Sequence, residues 1–118
     1  MPVLLIDDDD DLRLLMAEYL TSRGKDVRAC GTLAEARAAF AEMASTEPPH
    51  TVIVDDQLPD GKGIGFFRSL QPAFPDTRWI LISGNHDLEA LAQAKAAGAT
   101  FISVEKPMSL RTLDALAS

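Results

Sequence analysis

Five consecutive aspartates, Asp7 to Asp11, follow directly on the apolar run Val3-Leu4-Leu5-Ile6. Carboxylates crowded at the end of a buried segment repel one another. Two of them ~4 Å apart cost roughly 4 kcal/mol at an effective dielectric of about 20. A hard divalent cation with oxygen ligands offsets that repulsion. A second apolar run, Thr51-Val52-Ile53-Val54, also ends in acid, at Asp55-Asp56. Two segments presenting carboxylates in the same kind of place point to one shared site.

Two further polar features close apolar runs: Ser83-Gly84, and Lys106-Pro107. A carboxylate nucleophile, a metal held by its neighbours, a hydroxyl and an ammonium suit phosphoryl transfer. Metal and ammonium neutralise charge on the equatorial oxygens, and the hydroxyl donates to one of them. Each feature alone is weak, since acid runs are usually solvated loops, serines cap helices and most lysines face water. Four together, each at the end of a strand, are far more specific.

The elements that must position them are short apolar runs alternating with helical stretches. The runs predict strands at Val3–Ile6, Val27–Cys30, Thr51–Asp55, Trp79–Ser83 and Thr100–Val104. The first, third and fourth are almost continuously apolar, as strands covered on both faces should be. Leu12, Leu15, Met16, Tyr19 and Leu20 recur at helical spacing in a helix over Asp11–Arg23 that Gly24 ends. Thr32 caps a second helix, with Glu35 completing a capping box. This helix carries Ala36, Phe40 and Met43, and Pro48-Pro49 stops it. Further helices are expected over Ile64–Leu70, Asp87–Ala97 and Ser109–Leu116. The repeated β-α unit implies an α/β fold, a doubly wound parallel sheet with helices on both faces. In such sheets function collects at the carboxyl ends of the strands.

At 118 residues, with 47% hydrophobic and 25% charged content, the chain reads as one globular domain over 1–118. The brief fifth helix fits a chain cut in or after that element. A net charge of −7 argues against nucleic-acid or anionic-membrane surfaces, which need clustered Lys and Arg. The single cysteine, Cys30, fits a reducing compartment and reads as a core residue. With no membrane span or signal peptide in the sequence, a cytoplasmic location is expected.

With these residues in view, the chain resembles the receiver domain of two-component response regulators over nearly its whole length. The acidic pair of that family matches Asp7 and Asp8. Its Asp-x-x-x-Pro-x-x-x-Gly motif matches Asp55, Pro59 and Gly63. Ser83-Gly84 matches its hydroxyl and small residue, and Lys106-Pro107 its Lys-Pro. The resemblance implies the flavodoxin-like strand order 2-1-3-4-5, which places the ends of strands one and three side by side.

It further implies that Asp55 accepts a phosphoryl group from the phosphohistidine of a histidine kinase or phosphotransfer protein. Asp8, Asp55 and the Gln57 carbonyl would hold Mg²⁺ directly, with Asp7 helping through water. Lys106 would contact the acyl phosphate and Ser83 one of its oxygens. Gln57 and Asn85 stand where the family tunes phosphoryl lifetime. Ser83 and the residue at position 103 would switch the face formed by helix four, strand five and helix five, for an output partner or a homodimer. The domain would then be a phospho-acceptor rather than a conventional enzyme, apart from slow autodephosphorylation.

Three positions depart from the pattern. Asp10 stands where Pro is common, Asp56 where an apolar residue is usual, and Ser103 where a Tyr or Phe normally precedes the Lys. Phe101 is the nearby aromatic. Asp56 is a rival acceptor, but the spacing to Pro59 and Gly63 selects Asp55, and strand alternation turns Asp56 the other way. Asp9, Asp10 and Asp11 read as loop and first-turn acids that favour a helix N-terminus.

Three rival chemistries fit less well. A haloacid-dehalogenase-type phosphatase needs Thr or Val where Asp11 stands. A nucleotide-binding loop would be repelled by five acids, and an EF-hand needs Gly where Leu12 stands. A degenerate receiver that only binds a protein partner is the alternative from another class, and the intact acidic, hydroxyl and Lys positions argue against it.

Overall fold

The computed structural model describes residues 1–83, 92, 96, 101–105 and 109–117. Its five main strands are β1 (Pro2–Ile6), β2 (Asp26–Cys30), β3 (Thr51–Asp55), β4 (Arg78–Ser83) and β5 (Ile102–Glu105). All pair in parallel, in the order β2-β1-β3-β4-β5. The three strands expected to be covered on both faces lie at the centre, and every residue of β3 is buried. The edge strand β5 alternates between partly buried and exposed positions, and β2 is exposed apart from the partly buried Val27 and the buried Cys30. β5 begins later than expected, at Ile102, and Thr100 lies outside the described residues.

Alternation along the strands divides the apolar side chains between two cores. Leu4, Ile6, Val52, Val54, Trp79 and Leu81 meet α2 (Leu33–Ala44) and α3 (Gly63–Leu70). There Phe40 stacks on Trp79 at 6.2 Å between ring centroids, while Phe66 and Phe67 meet the indole edge-on. Val3, Leu5, Ile53, Ile80 and Ile82 face α1 (Asp10–Ser22) and the C-terminal helix (Leu110–Ala117). Fully burying a leucine or isoleucine side chain of this kind stabilises the fold by roughly 1.5–3 kcal/mol. Met16, Leu20 and Leu113 are fully buried in the second core. Leu15, expected on the same apolar stripe, is 52% exposed instead. It lies at the rim of the stripe, which Met16 and Leu20 cover from the middle.

Helix boundaries follow the local chemistry. Asp9 caps α1 by accepting from the Leu12 N–H at 3.1 Å, and Asp10 and Asp11 occupy its first turn. Gly24 has φ +88°, a left-handed conformation that ends α1 as its glycine suggested. Thr32 Oγ1 accepts from the Glu35 N–H at 3.1 Å, so half of the expected capping box forms. The Glu35 carboxylate lies 3.4 Å from the Thr32 hydroxyl, which bonds it in place of the Thr32 N–H. Past α3 the chain tightens into a 3₁₀ turn, Gln71–Ala73, at Pro72. Arg78 Nη1 donates to the Leu116 carbonyl at 2.8 Å, satisfying one of the last acceptors of the C-terminal helix. The helix expected over Asp87–Ala97 lies outside the described residues apart from Ala92 and Ala96, both helical. Among the described residues no helix is long and apolar enough to cross a membrane.

Candidate functional site

The register of β1 and β3 pairs Ile6 with Val54, so Asp7 and Asp55 come one step further along neighbouring strands. Both continue the parity of Leu5 and Ile53, which face the second core. Asp7 is fully buried, Asp55 is buried and Asp8 is exposed. One carboxylate oxygen from each of Asp7, Asp8 and Asp55 lies within 4.8 Å of the other two. These are three of the four residues expected from the sequence to hold a metal, and they come from two separate segments.

The donor set is entirely oxygen, which selects a hard cation such as Mg²⁺ over a transition metal preferring nitrogen or sulfur. Octahedral Mg²⁺ at about 2.1 Å from each ligand needs opposite oxygens roughly 4.2 Å apart. Oxygens this close together can share such an ion, some directly and others through its water molecules.

Local hydrogen bonds orient the acids. Asp7 Oδ1 accepts from the Asp9 N–H at 2.9 Å, folding the β1–α1 loop back on itself. The Asp7 N–H donates to the Cys30 carbonyl at 3.1 Å, and the Arg13 guanidinium donates to the Asp7 carbonyl at 2.7 Å. Asp55 Oδ1 accepts from the Gln57 N–H at 3.3 Å. Gln57 itself is exposed and pairs with Lys62 in a two-residue hairpin, Gln57–Leu58 with Gly61–Lys62, which is too short to leave a periodic signal in the sequence. Asp56 is buried, and its N–H donates to the Ile82 carbonyl at 2.9 Å. It is not part of the cluster, in line with its opposite parity.

Ser83 ends β4 with 1% exposure, and its Oγ has no hydrogen-bond partner among the described residues. That hydroxyl lies at the carboxyl end of the sheet, one register step past the Ile82 that pairs with Asp55. Ser103 is exposed on β5, opposite Leu81. Phe101 does not take its place. The Phe101 ring is buried at the amino end of β5, 5.2 Å from Phe67, at the far end of the strand from the acids. Asn85, Lys106, Gly84 and Pro107 lie outside the described residues. Burial pushes the Cys30 thiol up, which suits a core residue and not a nucleophile.

Two residues near the acids were not singled out by sequence. Asp60 Oδ1 and Oδ2 accept from the N–H groups of Leu33 and Ala34, at 2.8 and 2.9 Å. These bonds hold the Asp60 carboxyl below its ordinary range. Arg13 bonds the Asp10 carboxylate at 2.6 Å as well as the Asp7 carbonyl. Pro59-Asp60-Gly61 reads simply as a turn, and nothing local ties it to a helix that begins 27 residues earlier.

The sequence profile of the family described as response regulator receiver domain matches residues 3–118, and the chain belongs to that family. It is 33% identical over 110 residues to the response regulator protein PilR of Pseudomonas aeruginosa, covering 93% of this chain and 24% of PilR. It is 32% identical over 111 residues to the sensor kinase CckA of Brucella abortus, covering 94% of this chain and 11% of that kinase. The chain thus spans about a quarter or less of these two relatives. Among solved structures, a receiver domain from Clostridium thermocellum superposes with a TM-score of 0.85 at 23% identity, covering 98% of this chain and 90% of that one. NtrX from Brucella abortus gives a TM-score of 0.80 at 27% identity, covering 98% of this chain and 26% of NtrX. The protein is a receiver domain of the two-component response regulators, with the five-stranded parallel architecture of that fold.

Proposed function

We propose that Asp55 is the phospho-acceptor and that a histidine kinase or phosphotransfer protein is the donor. The observation that carries this reading is the convergence of Asp7, Asp8 and Asp55 at the carboxyl ends of two adjacent strands. In the transfer, an Asp55 carboxylate oxygen bonds to phosphorus as the P–N bond of phosphohistidine breaks, leaving its electron pair on the imidazole nitrogen. Asp8, Asp55 and the Gln57 carbonyl would hold Mg²⁺ and Asp7 would assist through water. The ion would supply positive charge against the phosphoryl oxygens.

The remaining roles belong to the protein. Asp55 lies at a buried strand end where little water competes with the incoming group. Ser83 Oγ donates to a phosphoryl oxygen, gaining a partner it otherwise lacks among the described residues. Lys106 contacts the acyl phosphate, and Gln57 and Asn85 set how long it survives. Neither amide is a carboxylate that would orient an attacking water. Phosphorylation takes the charge at Asp55 from −1 to about −2 and adds acceptor oxygens. The movement of Ser83 toward them biases the face that includes β5 and the C-terminal helix, where an output partner or second copy docks. The domain acts as a switch, with slow loss of its phosphoryl group.

Intact mass after incubation with acetyl phosphate and MgCl₂ tests the acceptor. Wild type should gain one phosphoryl group, and Asp55→Asn or metal-free wild type should gain none. Equal labelling of the Asp55→Asn variant would move the acceptor elsewhere.

A further inference from the structure

The geometry points to the β2–α2 turn, residues 31–34, as a common anchor that sets the separation of the two metal-bearing loops, with Asp60 bonding one loop to it and Arg13 packing the other against it. This rests on the Mg²⁺ site proposed above and assigns a role to a segment that holds none of the proposed ligands.

The β3–α3 loop carries Asp55 and Gln57 at its start. Asp60, three residues after Gln57, spans the first two amides of α2 with both of its oxygens. A carboxylate there meets unsatisfied N–H groups and the positive end of the helix dipole. Thr32 serves only the next amide, that of Glu35. The helix therefore depends for its first two donors on a residue from the phospho-acceptor loop. Gly61 shows how close the loop lies: at φ +153°, a Cβ on it would stand 2.8 Å from Leu33 Cδ1. The hairpin register, Gln57 with Lys62 and Leu58 with Gly61, carries that constraint back to Gln57.

The β1–α1 loop reaches the same turn from the other side. The Arg13 guanidinium holds the Asp7 carbonyl and the Asp10 carboxylate. It lies so near Gly31 that a Cβ there would stand 2.9 Å from Arg13 Nη1. Asp8 from one loop with Arg13 from the first turn of α1, Pro59 from the other loop, and Gly31 and Thr32 of the turn line one shallow hollow of about 350 Å³. Both loops thus rest on four residues of the same turn, and the spacing between Asp8 and the Gln57 carbonyl is set through it.

Calorimetric titration of the intact chain with MgCl₂ tests the anchor. Supporting groups around a metal site commonly change affinity by 10-fold or more, so Asp60→Ala and Arg13→Ala should each weaken Mg²⁺ binding by about tenfold. Asp60→Asn, which keeps one acceptor oxygen, should recover to within about threefold of wild type. Thr32→Ala removes only the bond to the Glu35 N–H and leaves the Asp60 and Arg13 bonds in place, so Mg²⁺ affinity should stay within about twofold. Affinity in Asp60→Ala that matches wild type, or a Thr32→Ala loss as large as that of Asp60→Ala, would overturn the proposal. Amide exchange in metal-free protein gives an independent readout. Asp60→Ala should speed exchange at Gln57 and Gly63 while Thr32→Ala does not, and equal rates in both variants would also overturn it. Wild-type protein that binds no Mg²⁺ at all would instead defeat the metal site, and the exchange arm would still decide the anchor.

Discussion

Gly63 approaches Asp55 so closely that a Cβ at residue 63 would stand 2.5 Å from the Asp55 carbonyl oxygen. The same Cβ would lie 3.1 Å from Val54 Cγ2. The Gly63 N–H also donates to the Asp56 carbonyl at 3.1 Å, so the start of α3 is bolted to the end of β3. The glycine eight residues after Asp55 thus has a physical reason. It lets the helix begin against the backbone that presents the carboxylate.

Gly63→Ala should consequently harm both stability and chemistry. The obstacle is backbone, which cannot rotate away as a side chain could, and overpacking of this kind costs about 1–3 kcal/mol. Urea denaturation should show that loss, and acetyl phosphate labelling of the folded fraction should slow. Gly65→Ala is the matched control, because nothing lies within 4 Å of a Cβ built there. Equal behaviour of the two variants would contradict the close approach.

Repulsion within the acid trio gives the second expectation. Three carboxylates whose oxygens lie within 4.8 Å of one another store unfavourable energy when no cation is bound. Each ionised pair, taken at 4.8 Å, contributes roughly 3.5 kcal/mol at an effective dielectric of about 20 before screening by solvent. Asp55→Asn should therefore stabilise the metal-free protein, by about 1 kcal/mol once solvent screening at Asp8 is allowed for. With Mg²⁺ at a hundredfold excess over its Kd, wild type should gain about 2.7 kcal/mol that the variant lacks. Chemical denaturation with and without MgCl₂ should thus reverse the order of the two proteins. A wild type indifferent to MgCl₂ would argue against a shared metal.

Ser83 separates stability from signalling. A buried hydroxyl with no partner among the described residues is an expense to the folded state, so removing it is close to neutral or stabilising. Ser83→Ala should keep or raise Tm. It should also shrink the change in amide exchange that beryllofluoride causes across residues 83–110. Ser103→Ala, at an exposed edge position, should leave that response intact. A full beryllofluoride response in Ser83→Ala would remove the hydroxyl from the switch.

The sheet was legible because its central strands are apolar on both faces, a pattern that few helices share at that length. The trio followed, since acids at the ends of β1 and β3 become neighbours once the strand order is known. Caps within one helix, such as Thr32 and the left-handed Gly24, were legible because they act locally, whereas Asp9 read only as a loop or first-turn acid and is in fact the cap of α1. The tie between Asp60 and α2 was not, because it joins segments distant in sequence and reads locally as an ordinary turn. Leu15 misled in the opposite way: helical spacing places it beside the stripe, and only packing decides how wide the covered stripe is. Phe101 shows a third limit, because its distance from the acids depends on which end of β5 it occupies.

Lys25 and Asp114 supply the last expectation, which concerns pH. Lys25 lies in the α1–β2 turn with its side chain 7% exposed, and its ammonium bonds the Asp114 carboxylate on the C-terminal helix. Arg23 adds a second, longer contact at 3.3 Å. The Lys25 bond, helped by Arg23, holds the Asp114 carboxyl below its ordinary value. A carboxyl with a lowered folded pKa adds stability above its unfolded pKa, near about 3.9, and loses it as pH falls through the folded value. Wild type should then melt above Asp114→Asn at neutral pH, and the gap should narrow only once the pH drops below about 4. Because the pair joins α1 to the C-terminal helix, the variant should also show faster amide exchange at Leu113 and Ala117, whose side chains are buried in the second core. A Tm gap that stays constant from neutral pH to about 2.5 would mean that the charge on Asp114 contributes nothing to holding that helix.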